Sequence, residues 1–233
     1  MIDGSVLRMS RLALPQVIER LRAQYGEQKA PRLTGPWEMI LWENVAYLAD
    51  DESRRAAFEM LKKRIGLDPQ KILAASDAQL LKVSSHGILA GQFAKKLRKC
   101  AKIALEEFDG DLRRVLKLPA PKAKKALQRF PGIGEPGAEK ILLFNRVQPV
   151  LAMDSNGLRV LLRLGFGEEK KSYATSYRIV QRAVEEQLQP DSSWLIEAHL
   201  LLRRHGQELC KRSRPACDEC PLASDCEFRR AGG

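Results

Sequence analysis

The amino-acid sequence predicts an all-α protein. Regular alternation of apolar and polar residues, the pattern of half-buried strands, is nearly absent from the 233 residues. Apolar residues instead recur at spacings of three and four, which place them on one face of a helix. The hydrophobic fraction of 44% is ordinary for a globular protein, and a chain of this length can bury a sizeable core.

The helices of the first half are predicted from their apolar faces. Residues 14–25 form an amphipathic helix with Pro15 in its first turn, where proline is tolerated. Residues 36–48 are apolar almost all round, so this helix should be buried. The other helices of this half are predicted over 51–65, 69–75, 77–83 and, after a loop at 84–87, over a long basic stretch at 89–108.

The second half is organised around a glycine hairpin and a single aspartate. A short helical piece at 112–116 leads to a helix at 122–129, the hairpin at 131–134 and a helix at 135–145. An apolar connection then delivers Asp154 to the start of another helix. Further helices are predicted near 157–164, 173–188 and 193–205, before a cysteine-rich tail.

The hairpin has the features of a phosphate site. Gly132 and Gly134 lack the Cβ atoms that would keep backbone N–H groups away from a ligand, and they permit positive φ. A tight turn before a helix N-terminus directs several N–H groups at one spot. The preceding helix has the right charge for an anionic partner through Lys122, Lys124, Lys125 and Arg129.

The charge of the chain also suits a polyanion. The formal net charge is +11 and the isoelectric point is near 9.6. No strongly apolar anchor face accompanies the basic clusters, so a membrane surface is not expected as a partner. Neither a signal peptide nor a run of 18 apolar residues is present, which predicts a soluble, cytoplasmic protein.

Four of the five cysteines fall in the last 24 residues, with the spacing C-x6-C-x2-C-x5-C. In an intracellular protein this clustering indicates metal ligation rather than disulfides. Zinc sites more often show two C-x2-C pairs, and only one is present. Ligation by four thiolates suits a four-iron, four-sulfur cluster equally well, so chemistry alone leaves both open. The isolated Cys100 is expected to be a buried apolar residue.

Two parts of the sequence resemble the endonuclease III superfamily of DNA glycosylases. The order F-P-G-I-G, amphipathic helix, Asp154 resembles its helix-hairpin-helix and Gly-Pro-Asp signature. The segment from His205 through Cys226 is similar to the family's iron–sulfur loop. The resemblance implies a 4Fe-4S cluster held by Cys210, Cys217, Cys220 and Cys226.

The resemblance also implies the architecture and the partner. We expect two helical domains flanking a DNA-binding cleft: a six-helix barrel with the helix-hairpin-helix at 30–148, and a cluster domain formed by 1–29 and 149–233. The expected partner is double-stranded DNA that contains a lesion or mismatch, bound by a monomer at the nucleoid. The residues implied to contact DNA are Ile88 as an apolar wedge, Lys125, Arg129, Gly132, Ile133, Gly134 and Gly137 at the hairpin, and Lys211, Arg212 and Arg214 in the cysteine loop.

In the family the aspartate at this position is the catalytic carboxylate, which assigns that role to Asp154. The bifunctional enzymes carry a nucleophilic lysine where this chain has Pro136, so the resemblance points to the monofunctional branch, which hydrolyses with water. Glu43 falls where mismatch glycosylases carry a catalytic glutamate. Its apolar neighbours should raise its pKa towards that of a general acid, whereas an ion-paired or partly exposed glutamate is the alternative.

Two other functions fit the same residues. A bifunctional glycosylase and lyase would use Lys140, one turn beyond Pro136, as its nucleophile. A non-catalytic DNA-binding iron–sulfur protein would keep the hairpin and the cluster without turnover. The sequence leaves the excised base open, whether mismatched uracil, mismatched thymine or a damaged base.

Overall fold

The structure, a computed structural model, describes residues 12–30, 35–47 and 49–233, and these residues are organised in helices. The predicted all-α fold class is confirmed. Within the described residues, the one extended pairing is an isolated antiparallel bridge between Tyr47 and Ile88. No helix in this part of the chain is long and apolar enough to cross a membrane.

The helix bounds follow the predicted periodicity closely. In chain order the α-helices are α1 (Leu14–Tyr25), α2 (Pro36–Val45), α3 (Asp51–Arg64), α4 (Pro69–Ala74), α5 (Asp77–Ser84), α6 (Ala90–Phe108), α7 (Ala120–Leu127), α8 (Glu135–Phe144), α9 (Ser155–Leu164), α10 (Tyr173–Val184), α11 (Ser192–Glu208) and α12 (Glu227–Arg230). Short 3₁₀ helices lie at Leu112–Lys117, Glu185–Gln187, Cys217–Glu219 and Ala223–Asp225.

One difference from the predicted bounds is at the end of α2. The predicted helix ran to residue 48, but α2 ends at Val45 because Ala46 is extended, with φ −149° and ψ 125°. Tyr47 then pairs with Ile88 in the isolated bridge. The apolar run continues past the helix, so the periodicity of apolar residues alone could not predict where α2 ends. Leu48 lies outside the described residues.

Contacts divide the chain into two compact units, one made of the described residues of 1–31 and 148–233 and one made of those of 32–147. In the 32–147 unit, α2 contributes to two separate core clusters. Met39 and Ile40 belong to a cluster with α6, α7, the hairpin and α8, while Leu41 and Val45 belong to a cluster with α3, α4, α5 and α6. A helix that is apolar all round can serve two cores at once.

In the other unit, α9 packs closely against α11, and α11 packs against α1. Glycines permit this close approach. A Cβ at Gly206 would lie 2.8 Å from the backbone oxygen of Asn156, and one at Gly157 would lie 3.3 Å from Leu202 Cβ. The first turn of α9, which follows Asp154, is therefore fixed against α11.

Candidate active site and cysteine loop

The glycine hairpin joins α7 to α8, and its two glycines differ in backbone conformation. Gly132 has a φ of +78°, which favours glycine. Gly134 is the N-cap of α8 with φ −85° and ψ −171°, so positive φ is used at Gly132 only. A Cβ at Gly134 would meet only Pro136 Cδ, at 3.9 Å, so the space beside its Cα is open.

Asn44 fastens the hairpin to α2. Its buried side-chain amide donates to the Pro131 carbonyl at 2.9 Å and to the Ile40 carbonyl at 3.0 Å. A Cβ at Gly132 would lie 3.0 Å from Asn44 Oδ1. The absence of that Cβ allows the hairpin to rest directly on the asparagine beside Glu43.

The N–H groups that remain for a phosphate belong to the start of α8. This helix has no side-chain cap. The Ile133 N–H donates to the Phe130 carbonyl at 3.1 Å, and the Ile133 side chain is 4% exposed. Ile133 thus anchors the turn, and its contact with DNA stays a prediction. Pro136 has no N–H, so the backbone N–H groups of Gly134 and Gly137 are the candidate donors.

The predicted basic residues near the hairpin differ in how they are held. Lys125 is exposed on α7. Arg129 is also exposed, but it donates two hydrogen bonds to Glu107, each 3.0 Å long. This contact lowers the pKa of Glu107 and raises that of Arg129. Lys124 Nζ lies 2.5 Å from Oε1 of Glu139, a buried carboxylate, and is thereby turned into the protein.

Lys140 and Glu43 form an ion pair within the 32–147 unit. Lys140 lies four residues after Pro136, on the same face of α8. Its Nζ contacts Glu43 Oε1, and the two side chains are 18% and 23% exposed. Glu43 therefore has the ion-paired, partly exposed environment of the alternative given above. Its role as a general acid stays a prediction.

Asp154 caps α9 with both carboxylate oxygens engaged. Oδ1 accepts hydrogen bonds from the backbone N–H groups of Asn156 (3.0 Å) and Gly157 (2.8 Å). Oδ2 accepts from the Asn156 side-chain amide at 3.1 Å and faces Arg203 Nε at 3.5 Å. Every one of these partners is a hydrogen-bond donor or a cation, which are the contacts that an N-cap carboxylate accepts. The side chain is 26% exposed, which leaves room for a ligand.

Tyr173, at the start of α10, stands near this carboxylate. Its hydroxyl lies 3.4 Å from the carbonyl of Met153, the residue before Asp154. Burial, together with the negative charge of Asp154, raises the pKa of the Tyr173 phenol above its usual range. The phenol therefore stays protonated and can serve as a hydrogen-bond donor beside Asp154.

Two arginines of α9 connect the Asp154 end of the helix to the cysteine loop. Arg159 donates to Asn156 Oδ1 (2.9 Å), to the Gly206 carbonyl (2.7 Å) and to the Cys210 carbonyl (2.9 Å). Burial lowers the pKa of its guanidinium. Arg163, one turn later, lies 3.3 Å from Cys210 Sγ and donates to the Lys211 and Arg212 carbonyls.

The four clustered cysteines line one cavity of about 300 Å³, open side included. Within the described residues, no three His, Cys, Asp or Glu side chains converge tightly enough to hold a single metal ion. A cubane cluster instead takes one thiolate at each of four iron atoms, which spreads the sulfurs around a cavity. Nitrogen atoms lie beside two of them: Arg163 Nη1 beside Cys210 Sγ, and His205 Nε2 at 3.5 Å from Cys220 Sγ. The donor set fits a 4Fe-4S cluster.

The remaining predicted DNA contacts lie on the surface. Lys211, Arg212 and Arg214 are all exposed in the cysteine loop. Arg214 has a φ of +55°, a left-handed conformation that bends the loop at a non-glycine residue. Ile88 is 54% exposed in the loop between α5 and α6. These positions suit contact with a partner, and their roles stay predictions.

Curated relatives of this chain are endonuclease III proteins. It is 29% identical to endonuclease III of Rickettsia conorii over 161 residues, 69% of each chain, and 24% identical to that of Thermotoga maritima over 200 residues, 86% of each chain. These similarities support the endonuclease III superfamily for this chain. No family model matches it.

Solved structures agree with this similarity. One, titled as a trapped endonuclease III–DNA covalent intermediate, superposes with a TM-score of 0.75 at 19% identity, covering 95% of this chain and all of that one. A thermostable thymine-DNA glycosylase superposes with a TM-score of 0.71 at 14% identity, covering 94% of this chain and 97% of the other. At these identities the likeness establishes the fold.

Several residues of the candidate site were missed from the sequence. Arg203 reaches Asp154, and Tyr173 reaches the carbonyl of the preceding Met153, each from another helix. Arg159 and Arg163 reach the cysteine loop from 47 or more positions away. Asn44 reaches the hairpin over 87 positions. The only available signal was indirect: an asparagine and two arginines at helical spacing within apolar runs, where polar side chains need partners.

Proposed function

We propose that this chain, an endonuclease III-like DNA N-glycosylase, is monofunctional. It hydrolyses the N-glycosidic bond of a damaged or mismatched base in double-stranded DNA and leaves the strand intact. The observation that carries this proposal is the pair of Pro136 and Lys140. Pro136 has no nucleophilic group, and Lys140 forms an ion pair with Glu43.

The ion pair opposes formation of a Schiff base by Lys140. An amine attacks the sugar only as a neutral base. The contact between Lys140 Nζ and Glu43 Oε1 is an attraction only while the lysine is an ammonium and the glutamate a carboxylate. The pair directs Lys140 Nζ to a carboxylate within its own unit, so the amine is not presented to a sugar as a lyase requires.

Asp154 supplies the carboxylate for hydrolysis. As the base departs, positive charge develops on the sugar, and a fixed carboxylate stabilises it or orients the attacking water. Water then forms the new bond at the anomeric carbon, and the base leaves with the electrons of the broken bond and a proton. Two backbone N–H groups hold Asp154 Oδ1, while Asn156 and Arg203 orient Oδ2.

Glu43 is the proposed acid or base of the same reaction. Lys140 acts as its positioning residue, because the contact with Lys140 Nζ fixes the Glu43 carboxylate in place. A carboxylate held in this way suits activation of a water molecule. The predicted general-acid role thus becomes a proposed general-base role.

DNA is held by the hairpin, the exposed Lys125 and the cysteine loop. The N–H groups of Gly134 and Gly137 and the dipole of α8 suit one phosphate. Lys211, Arg212 and Arg214 add an exposed cationic surface. We assign the hairpin to a domain at 30–148 and Asp154 with the cysteine loop to a domain of 1–29 and 149–233. Because its proposed substrate is DNA, we assign the protein to the nucleoid.

Cys210, Cys217, Cys220 and Cys226 would hold a 4Fe-4S cluster, which on binding ties the loop together through four metal–thiolate bonds. The work of this chain's own residues is to shape and support that loop. Arg163 fixes its first turn through the Lys211 and Arg212 carbonyls. The loop thereby presents its basic side chains outward.

The test is single-turnover incubation with duplexes that carry mismatched uracil, mismatched thymine, oxidised pyrimidines, alkylated purines or adenine opposite oxidised guanine. Half of each reaction receives hot alkali. Strand breaks found only after alkali are expected, and they would identify the base. Breaks without alkali, together with a borohydride-trapped complex, would contradict the monofunctional assignment.

Two variants separate the proposal from the bifunctional alternative. Pro136→Lys places an amine at the position where bifunctional relatives carry theirs, and we expect it to gain borohydride trapping. Lys140→Met should leave the wild-type pattern of alkali-dependent breaks unchanged. If trapping occurs in the wild type and disappears in Lys140→Met, Lys140 is the nucleophile.

A further inference from the structure

The first turn of α8, which is the candidate phosphate site, carries a carboxylate. Glu135 is the first residue of the helix, and it lies between Gly134 and Gly137, the two candidate N–H donors. Its side chain is 24% exposed, so a ligand at the helix end can approach it. Acidic residues interact favourably with the positive end of a helix dipole. A DNA phosphate is attracted to the same positive end, so the carboxylate and the phosphate compete for it.

One lysine of α7 faces this carboxylate and a second one. Lys124 Nζ lies 2.5 Å from Glu139 Oε1 and 3.6 Å from Glu135 Oε1. The Glu139 side chain is only 4% exposed, and a buried carboxylate needs a close counter-charge. The shorter contact therefore commits Lys124 to Glu139. Because one ammonium cannot neutralise two carboxylates in full, Lys124 leaves part of the negative charge of Glu135 in place.

A second basic residue next to the hairpin is held in the same manner. Arg129 donates two hydrogen bonds of 3.0 Å to Glu107. Lys124 and Arg129 are thus both directed to carboxylates of their own unit, while Lys122 and Lys125 are exposed. In a chain with a formal net charge of +11, these contacts lower the positive charge that the hairpin offers to DNA.

A weakened hold on the DNA backbone has a physical use in an enzyme that acts on one base. Phosphates are the same in damaged and undamaged DNA, so contacts with them strengthen binding without adding discrimination. Such contacts also retain the duplex after the reaction, and product release limits the turnover of many enzymes. A hairpin that bound phosphate at full strength would therefore retain both undamaged DNA and the finished product.

We propose that Glu135 limits the affinity of the hairpin for a DNA phosphate and so speeds release of the duplex. This inference rests on the proposed glycosylase function, because the product to be released is the duplex with an abasic site. The carboxylate acts by electrostatic repulsion, which changes an affinity several-fold when two charges lie within about 8 Å near a protein surface. Lys124 is the positioning residue, since its ammonium holds the Glu135 carboxylate on the side of α8 that faces α7.

The test compares Glu135→Gln with the wild type on a fluorescent duplex that contains a tetrahydrofuran abasic analogue, which mimics the product. The amide keeps the size of the side chain and removes its charge. We expect the dissociation constant, measured by fluorescence anisotropy, to fall about fivefold. Dissociation, followed after addition of excess unlabelled duplex, should slow by a similar factor. Multiple-turnover excision should slow relative to single-turnover excision, because release of the duplex is affected more than the chemical step.

Two control variants separate a local effect from a change in net charge. Glu59→Gln removes one negative charge from an exposed position on α3, in the same unit, and should leave the affinity and the dissociation rate near the wild-type values. Glu135→Asp keeps the charge at the first turn of α8 and should keep the wild-type affinity. If thermal unfolding shows Glu135→Gln to be unstable, Glu135→Ser removes the same charge in its place. Equal affinities of Glu135→Gln and Glu59→Gln, or tighter binding with an unchanged dissociation rate, overturn the proposal.

Binding to undamaged duplex separates this inference from the proposed function, because it requires no catalysis. Glu135→Gln should bind undamaged duplex more tightly than the wild type, by about the same factor as the abasic analogue. That result in a protein that excises no base would refute the glycosylase and support the role of Glu135. Excision by the wild type, together with equal affinities and dissociation rates for Glu135→Gln and wild type, would do the reverse.

Discussion

Asp154 and Glu43 are both carboxylates at helices, but they are held in different ways. Asp154 is fixed by backbone N–H groups of its own helix, at 3.0 and 2.8 Å. Glu43 is fixed by Lys140, whose long side chain comes from a helix 97 positions away in the sequence. The first arrangement is rigid and local, whereas the second depends on packing between α2 and α8. A rigid carboxylate suits charge stabilisation, whereas the proposed general base depends on Lys140 for its position.

The largest expected effect comes from Asp154→Asn. The amide keeps the shape and accepts hydrogen bonds as an N-cap, so stability should change by less than about 1 kcal/mol. The negative charge is lost, and single-turnover excision should fall by about 100-fold or more. Duplex affinity should survive. Excision within tenfold of wild type would contradict the role of Asp154.

A matched control lies in the same unit. Asp191 caps α11 through Ser193 N at 3.0 Å and Trp194 N at 3.1 Å, the same kind of contact that Asp154 makes. Asp191→Asn should leave both excision and stability near the wild-type values. If both Asp→Asn variants lost activity equally, the effect would lie in helix capping and not in catalysis.

The second effect tests the ion pair. Glu43→Gln should lower excision by roughly 10- to 100-fold, since a general base is removed. Lys140→Met should lower it by less than tenfold, because the carboxylate remains but is no longer fixed. Each change should cost about 1 kcal/mol of unfolding free energy, as the pair is partly exposed. A larger loss of excision in Lys140→Met than in Glu43→Gln would instead assign the chemistry to the lysine.

A double-mutant cycle sharpens this result. If Lys140 acts only by positioning Glu43, the effect of Lys140→Met on excision should vanish in the Glu43→Gln background. Additive losses would show that the two residues act independently and would contradict the positioning role.

The third effect concerns Asn44, the residue next to Glu43 that joins α2 to the hairpin. Asn44→Ala removes two hydrogen bonds from the buried amide and leaves the Pro131 carbonyl without that donor. We expect a loss of about 2 kcal/mol in unfolding free energy by urea denaturation. Because the hairpin is loosened, duplex affinity should fall several-fold by fluorescence anisotropy. An unchanged affinity in the destabilised protein would separate the hairpin from DNA binding.

The same contrast explains what the sequence could predict. The N-cap role of Asp154 and the bounds of α1 follow from residues within one or two turns, so local patterns sufficed. The contact of Glu43 with Lys140 and the hydrogen bonds of Asn44 to the hairpin depend on tertiary packing. The spacing of residues along the sequence does not encode this packing. The end of α2 at Val45 likewise depends on a bridge to Ile88, 41 positions from Tyr47. The helices were therefore predictable, whereas the contacts that tune the site were not.

The smallest expected effect compares two basic residues predicted to contact DNA. Lys125 is exposed on α7, whereas Arg129 donates two hydrogen bonds to Glu107. Lys125→Gln should weaken duplex binding about threefold at moderate salt and reduce the salt-dependence slope by about one. Arg129→Gln should change the affinity and the slope by less, because the Arg129 guanidinium is already paired with the Glu107 carboxylate. Anisotropy titrations between low and moderate salt measure both quantities, and a steeper loss for Arg129→Gln would show that Glu107 releases the arginine when DNA binds.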